Sequence, residues 1–209
     1  MSQTIISNSF NIDPMEHQKT PINDMDTRIT SQQSPYKIID IAHIVTNHDN
    51  LSIKGRLTIS ISPGKKDGRW NRDLYSDLRV IKDNDIQIIV CLLEWNEMKM
   101  LNIVDYPSIA QENGFLFYHL PIRDRCAPTQ NELNSLVPVI INHLVTGQNV
   151  LVHCRGGLGR AGAVAACCLG HFGYNSQQAM DTVRSQRPGA IQTRKQESCV
   201  IQYCHNLLK

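Results

Sequence analysis

Beyond residue 56 the apolar positions of the chain follow two rhythms that take turns. Short, nearly unbroken apolar runs occur at 57–61, 86–93, 115–120 and 149–152. The second of these, Ile86-Gln-Ile-Ile-Val-Cys-Leu-Leu93, is rich in β-branched residues, as expected of a strand covered on both faces. Between the runs the spacing becomes helical. Leu74, Leu78 and Ile81 mark one face of a segment over 72–84. After the capping box Thr129-Gln-Asn-Glu132, the residues Leu133, Leu136, Val137, Ile140, Ile141 and Leu144 mark another. Pro138 sits inside that second pattern and predicts a kink or an early break. Past Gly159 everything reads as helix, in segments 161–172, 176–185 and 193–208. Gly173 and the turn Arg187-Pro-Gly189 separate them, and a second capping box, Thr193-Arg-Lys-Gln196, opens the last. Strands alternating with helices predict an α/β fold: a mostly parallel central sheet flanked by helices, with a helical C-terminal part. Residues 1–35, rich in Ser, Thr, Asn and Gln without either period, are expected to be a flexible tail, leaving 36–209 as one folded domain.

Composition narrows the function. The 209 residues, 41% hydrophobic and 19% charged, suffice for one domain with a real core. A net charge of +2 argues against a general nucleic-acid or acidic-membrane binder, which would carry a basic stripe. No apolar run approaches the roughly 20 residues that cross a bilayer. The amino end lacks the features of a secretion signal, Ser2 does not suit myristoylation, and the closing Asn206-Leu-Leu-Lys209 does not suit prenylation. Seven cysteines, odd in number and without the spacing of a stapled secreted domain, suggest a reducing compartment. Cys199 and Cys204 have no second pair to complete a zinc site. A cytoplasmic monomer needing no metal or cofactor, with no nucleic-acid or membrane partner, is therefore expected.

The chemistry concentrates in Val150-Leu-Val-His-Cys-Arg-Gly-Gly-Leu-Gly-Arg-Ala-Gly162, where a buried strand runs into a glycine-rich loop that opens a helix. Gly157, Gly159 and Gly162 spell G-x-G-x-x-G, but a dinucleotide site also needs a following strand that ends in an acidic residue. Asp181 has a tolerable separation yet lies in a helical segment, so that reading lacks its confirmation. Cys154 and Arg160 spell C-x5-R. Glycines at 156, 157 and 159 allow consecutive amides to point inward around a phosphate. The helix start adds its positive end, and Arg160 can grip two phosphate oxygens. The predicted phosphate seat is thus Arg155, Gly156, Gly157, Leu158, Gly159 and Arg160. The same positive groups surround the Cys154 sulfur and predict a nucleophilic thiolate there at neutral pH. A phosphate monoester leaves poorly without a proton donor. Asp124 is the candidate, because it follows the strand at 115–120, whose carboxyl end should share the sheet edge with the Cys154 loop.

His153-Cys-x5-Arg160 resembles the signature of the cysteine-dependent protein phosphatases, the tyrosine and dual-specificity superfamily. The wording His153-Cys-Arg-Gly-Gly-Leu-Gly-Arg160 is similar to that of the kinase-associated phosphatase group, which acts on cyclin-dependent kinases. Pro121-Ile-Arg-Asp124 and Ala190-Ile-Gln-Thr-Arg-Lys-Gln196 also have counterparts there. The resemblance implies a phosphocysteine intermediate on Cys154, Asp124 on a mobile loop as the acid, Gln192 as the positioner of the hydrolytic water, and a phosphoprotein substrate, a protein kinase among the candidates. Most relatives carry Ser or Thr after the signature arginine, where this chain has Ala161. That departure implies slowed breakdown of the intermediate and a burst of product, and it motivates the alternative of a phosphate-binding pseudophosphatase. A sulfurtransferase also uses a cysteine loop, but need not have the upstream acid or the downstream glutamine.

Blander roles compete elsewhere. Cys91, Cys167 and Cys168 read as core filler, Cys199 and Cys204 as helix core, and Cys126 as the least implausible oxidation partner of Cys154. His153 reads as a buried shaper of the loop. Arg155 is expected to point outward, toward substrate charge or solvent. Lys65, Lys66, Arg69 and Arg72 with Trp70 form either a solvated rim or a docking patch.

Overall fold

The computed structural model describes residues 39–40, 53–68 and 70–208. The predicted tail and Arg69 lie outside the described residues. Seven strands and seven helices follow one another among the described residues: β1 (Ile39–Asp40), β2 (Leu57–Ser60), β3 (Lys66–Asp67), β4 (Trp70–Asn71), α1 (Leu74–Asp83), β5 (Ile88–Cys91), α2 (Trp95–Met100), α3 (Tyr106–Glu112), β6 (Leu116–His119), α4 (Gln130–Val145), β7 (Val150–His153), α5 (Gly159–His171), α6 (Ser176–Gln186) and α7 (Arg194–Asn206).

Five strands form one sheet in the order β1-β2-β7-β5-β6. β2, β7, β5 and β6 run parallel, and β1 pairs antiparallel with β2 at the edge. The α/β expectation is met. The central strands β2, β5 and β7 are buried at every position, which is why their sequences show no alternation. Register fixes the site: His153, the last residue of β7, lies between Ser60 of β2 and Cys91 of β5. Cys154 therefore leaves the carboxyl edge in the middle of the sheet, where open parallel sheets place their ligands.

A core formed by α1, α2 and α3 against the sheet gathers Leu78, Ile81, Ile89, Leu93, Met98, Tyr106 and Phe117. α5 packs against α4, α6, α7, β2 and β7, and from Gly159 to Gly170 it is buried on every side. Its small residues make that possible. A Cβ on Gly170 would come 2.5 Å from the Cys204 sulfur of α7, so α7 could not approach as closely with any larger residue there.

Pro138 does not break α4, which runs uninterrupted from Gln130 to Val145. The carbonyl that loses its partner belongs to Asn134, and both residues are exposed, so water can serve it. The short helices α2 and α3 and the β3–β4 hairpin carry too few residues for a period to register in the sequence. No described helix is long and apolar enough to cross a membrane.

Candidate active site

The loop between β7 and α5 is shaped by two close approaches. Gly157 has φ +62°, and a Cβ there would lie 2.2 Å from the Ser60 carbonyl oxygen, so only glycine can pass beneath β2. Gly159 opens α5 against two glutamines: a Cβ would meet the Gln196 amide at 2.8 Å and Gln192 Oε1 at 3.0 Å. Leu158, the N-cap, offers no side-chain acceptor, and no acidic residue occupies the first turn of α5. The amides at the helix start thus face the loop without a protein side chain to cap them, leaving their dipole for an anion. Cys154 is 3% exposed at the floor of this loop.

Arg160 is almost wholly enclosed. Its Nη1 and Nη2 donate to the two carboxylate oxygens of Glu97 at 2.5 and 2.8 Å, and Nη1 also donates to the Ile122 carbonyl at 2.8 Å. Burial works against the guanidinium charge, but the Glu97 hydrogen bonds and the nearby charges of Cys154, Glu97 and Asp124 outweigh it and raise the pKa. Nη2 reaches Asp124 Oδ1 at 2.9 Å. Asp124 is half-exposed and belongs to the loop after β6, which lies one strand beyond β5 and returns over the sheet edge. The structure therefore brings Cys154, Arg160 and Asp124 to one place.

Arg187 closes the loop from outside. Its Nε donates to the Gly157 carbonyl at 3.1 Å and its Nη2 to the Gly156 carbonyl at 3.4 Å. Partial burial lowers its pKa, against the attraction of Cys154. With these two carbonyls held outward, the amides of the same loop are free to turn inward.

Gln192 is exposed with its Oε1 beside Gly159, and its backbone N–H donates to Gln196 Oε1 at 2.8 Å. Gln196, completely buried, also accepts from the Thr193 amide and donates to the Cys126 carbonyl at 3.0 Å. One side chain thus joins the loop bearing Gln192 to the loop bearing Asp124. Thr193 caps α7 by accepting from the Gln196 backbone N–H, and this capping leaves the Gln192 side chain beside Gly159.

His153 is a neutral, buried prop. Its Nε2 lies 3.1 Å from the Tyr106 hydroxyl, while Nδ1 makes no hydrogen bond of ordinary geometry. Burial pushes the imidazole pKa down to about 3; contact with the Cys154 backbone opposes the shift, and Arg160 and His119 reinforce it. The other core thiols are not rivals for the nucleophile. Burial pushes Cys91 up to about 12 and Cys199 up to about 11, and also raises Cys167, Cys168 and Cys204.

Arg155 corrects an expectation. It is not an idle solvated cation: partly exposed, it turns back to the β3–β4 hairpin, where Nε and Nη2 meet Asp67 Oδ2 at 2.9 and 2.8 Å. Burial raises the Asp67 carboxyl, but hydrogen bonds from Arg155 and Lys65 hold it below the usual range. Arg72 corrects another: it is 1% exposed and bonded bidentately to Asp77, a core ion pair rather than part of a basic rim. Glu97 and Arg187 were not singled out by sequence. Glu97 sits at the N3 position of a capping box, Glu94-Trp-Asn-Glu97, a signal that explains the helix start and hides the second task.

Residues 71–200 match the family model of the PTP-SAK type, described as a Swiss Army Knife protein, DSP-PTPase phosphatase domain. The chain belongs to this phosphatase family. It is 31% identical over 137 residues to cyclin-dependent kinase inhibitor 3 of Rattus norvegicus, covering 64% of this chain and 65% of that one. The protein of the same name from Sus scrofa is 29% identical over 171 residues, covering 80% and 78%. The match to the rat relative thus spans just under two thirds of its length. Among solved structures, a kinase-associated phosphatase with its catalytic-site cysteine replaced by serine superposes with TM-score 0.74 at 26% identity, covering 85% of this chain and 98% of that one. Tk-PTP in its active form gives TM-score 0.60 at 28% identity, covering 74% and 95%.

Proposed function

We propose that this chain is a phosphomonoester hydrolase of the protein tyrosine and dual-specificity type, working through a phosphocysteine on Cys154. The observation that carries the reading is the 2.9 Å contact between Arg160 Nη2 and Asp124 Oδ1, above a cysteine in an uncapped glycine loop. It sets the group that would hold a phosphoryl oxygen beside the group that would protonate the leaving oxygen. In the first half-reaction the Cys154 thiolate attacks phosphorus, the ester P–O bond breaks, and Asp124 gives its proton to the departing oxygen. The loop amides and Arg160 stabilise the charge on the transferring group. In the second, water positioned by Gln192 attacks the phosphocysteine, Asp124 takes its proton, and the P–S bond breaks to return the thiolate and inorganic phosphate. Phosphoprotein is the proposed substrate class, with a protein kinase as candidate, supported by relatives named cyclin-dependent kinase inhibitor 3 and kinase-associated phosphatase. None of the seven cysteines is disulfide-bonded, which supports a reducing, cytoplasmic setting.

Turnover of a series of aryl phosphates tests the reading. Cys154→Ser should abolish it. Asp124→Ala should reduce it by about 10²–10⁴, less for better leaving groups. Persistent turnover by Cys154→Ser sinks the cysteine mechanism, and an Asp124→Ala loss that ignores the leaving group removes Asp124 from acid catalysis.

A further inference from the structure

Beside Asp124 the surface opens into a cavity of about 470 Å³, bounded by the Asp124 loop and the first turn of α7. Four cationic side chains line it: Arg123, Arg125, Arg194 and Lys195. All four are exposed, and among the described residues none is held in an ion pair. The acidic residue lining the cavity, Asp124, is already committed to Arg160. Arg194 and Lys195 also break a local rule. They are the first two residues of α7, at the positive end of its dipole, where acidic side chains are favoured and cations are not. Four cations without an ion-pair partner among the described residues, and a helix start, meet in one concavity and repel one another, which favours an anion there.

The walls are fixed to each other. Thr193 Oγ1 donates to the Arg125 carbonyl at 3.3 Å, and Gln196 bonds the Cys126 carbonyl. Arg194 and Lys195 also line a second cavity, of about 380 Å³, which continues past Pro128 and Gln130 to Ser198 and Gln202. The two together make an open groove that starts at the proposed acid and leads away from it. Such a length suits an extended chain better than a compact headgroup, and the exposed Gln202 amide along it can bond a peptide backbone.

We propose that this groove binds the substrate polypeptide and that its four cations receive acidic side chains, carboxylate or phosphoryl, flanking the phosphorylated residue. The assignment rests on the phosphatase reading of Cys154 and deepens it. The cations then select phosphoproteins with acidic flanks, and an exposed set of this kind acts more on substrate capture than on the bond-breaking step.

The test uses the full chain and peptide pairs, phosphotyrosine and phosphothreonine, each with two Glu or two Ala beside the phosphorylated residue. Phosphate release should favour the Glu member about tenfold in kcat/KM for whichever phosphoresidue is cleaved, the size expected of two exposed ion pairs. Arg194→Ala/Lys195→Ala should bring the Glu-to-Ala ratio close to one, mainly through KM. Raising NaCl should lower the wild-type ratio as well. Arg194→Lys should keep most of it. A wild-type ratio near one, or a ratio the double variant leaves unchanged, overturns the proposal. So does dependence on Arg194 and Lys195 seen with vesicles containing phosphoinositide and with neither peptide pair, which would make the groove a membrane site. Should the protein cleave neither aryl phosphates nor peptides, the phosphatase reading fails instead. Fluorescence anisotropy of the intact peptides then still decides whether the groove prefers the Glu members.

Discussion

Glu97 holds Arg160 by both ends: the two carboxylate oxygens take Nη1 and Nη2 at 2.5 and 2.8 Å, with both side chains almost fully buried. The bidentate pair fixes the plane of the guanidinium, leaving its remaining edge for Asp124 or for a phosphoryl group. Removing one partner strands a buried charge, at a cost of about 3–5 kcal/mol. Glu97→Ala should therefore lower the denaturation midpoint severely. Glu97→Gln, which keeps the shape and part of the hydrogen bonding, should lose less stability yet bind vanadate more weakly than wild type. Chemical denaturation and vanadate inhibition read the two effects; a Glu97→Gln protein with unaltered vanadate affinity would show that the carboxylate does not set the arginine.

Arg187 acts on the other side of the same loop, through the Gly156 and Gly157 carbonyls. A hydrogen bond from a charged donor contributes about 1.5–3 kcal/mol when shielded. Arg187 is only partly buried, so a smaller effect applies. Arg187→Ala should reduce kcat/KM for an aryl phosphate by about tenfold, with a parallel loss of vanadate affinity. Arg187→Lys should not restore it, because an ammonium cannot span two carbonyls as the guanidinium fork does. Full rescue by Lys would mean that charge alone matters at this position.

The legible parts of this protein are those whose cause is local. β5 and β7 announce themselves because strands buried on both faces need unbroken apolar runs, and α4 and α7 because their capping boxes are spelled out in four residues. Cys154 and Arg160 have only five residues between them, at the two ends of one loop, so their shared chemistry is visible in the chain. Glu97 lies 63 residues before Arg160, and Arg187 lies 30 after Gly157; only the fold brings them in. Arg155 and Arg72 show the converse. Each looked like a surface cation until Asp67 and Asp77 were placed beside it. A charged residue advertises its type in the sequence, but its partner, and therefore its task, is a property of the fold.

His153 gives the folded state a defined response to acid. In the fold its pKa is about 3, whereas an unfolded histidine titrates near 6.5. Above pH 6.5 the group is neutral in both states and does not affect the balance. As pH falls from 6.5 toward 3, the unfolded chain takes up a proton that the native site refuses, and stability is lost by up to about 1.4 kcal/mol per pH unit. Denaturant titrations at pH 7, 6, 5 and 4, compared between wild type and His153→Asn, isolate this contribution, because the other groups largely cancel. The wild-type curve should fall more steeply below pH 6. Parallel curves would contradict a buried neutral imidazole.

Ala161 follows Arg160 in the first turn of α5 and is completely buried. In the proposed mechanism the second half-reaction expels the Cys154 thiolate, and a hydroxyl at position 161 could donate to the developing charge. A methyl group cannot. One charge-assisted hydrogen bond of about 1.5–3 kcal/mol, present in the transition state and weaker before it, corresponds to roughly 10- to 100-fold in rate. Wild type should therefore show a pre-steady-state burst of leaving group followed by slow turnover, with phosphocysteine accumulating. Ala161→Ser should speed the slow phase by about tenfold or more and shrink the burst, while the rate of the burst itself stays close to wild type. Gln192→Ala should act on the same phase in the opposite direction, since both residues serve hydrolysis rather than transfer. Rapid-quench measurement of phosphoenzyme in the three proteins decides the matter: phosphocysteine that breaks down faster than it forms in wild type would show that Ala161 imposes no bottleneck.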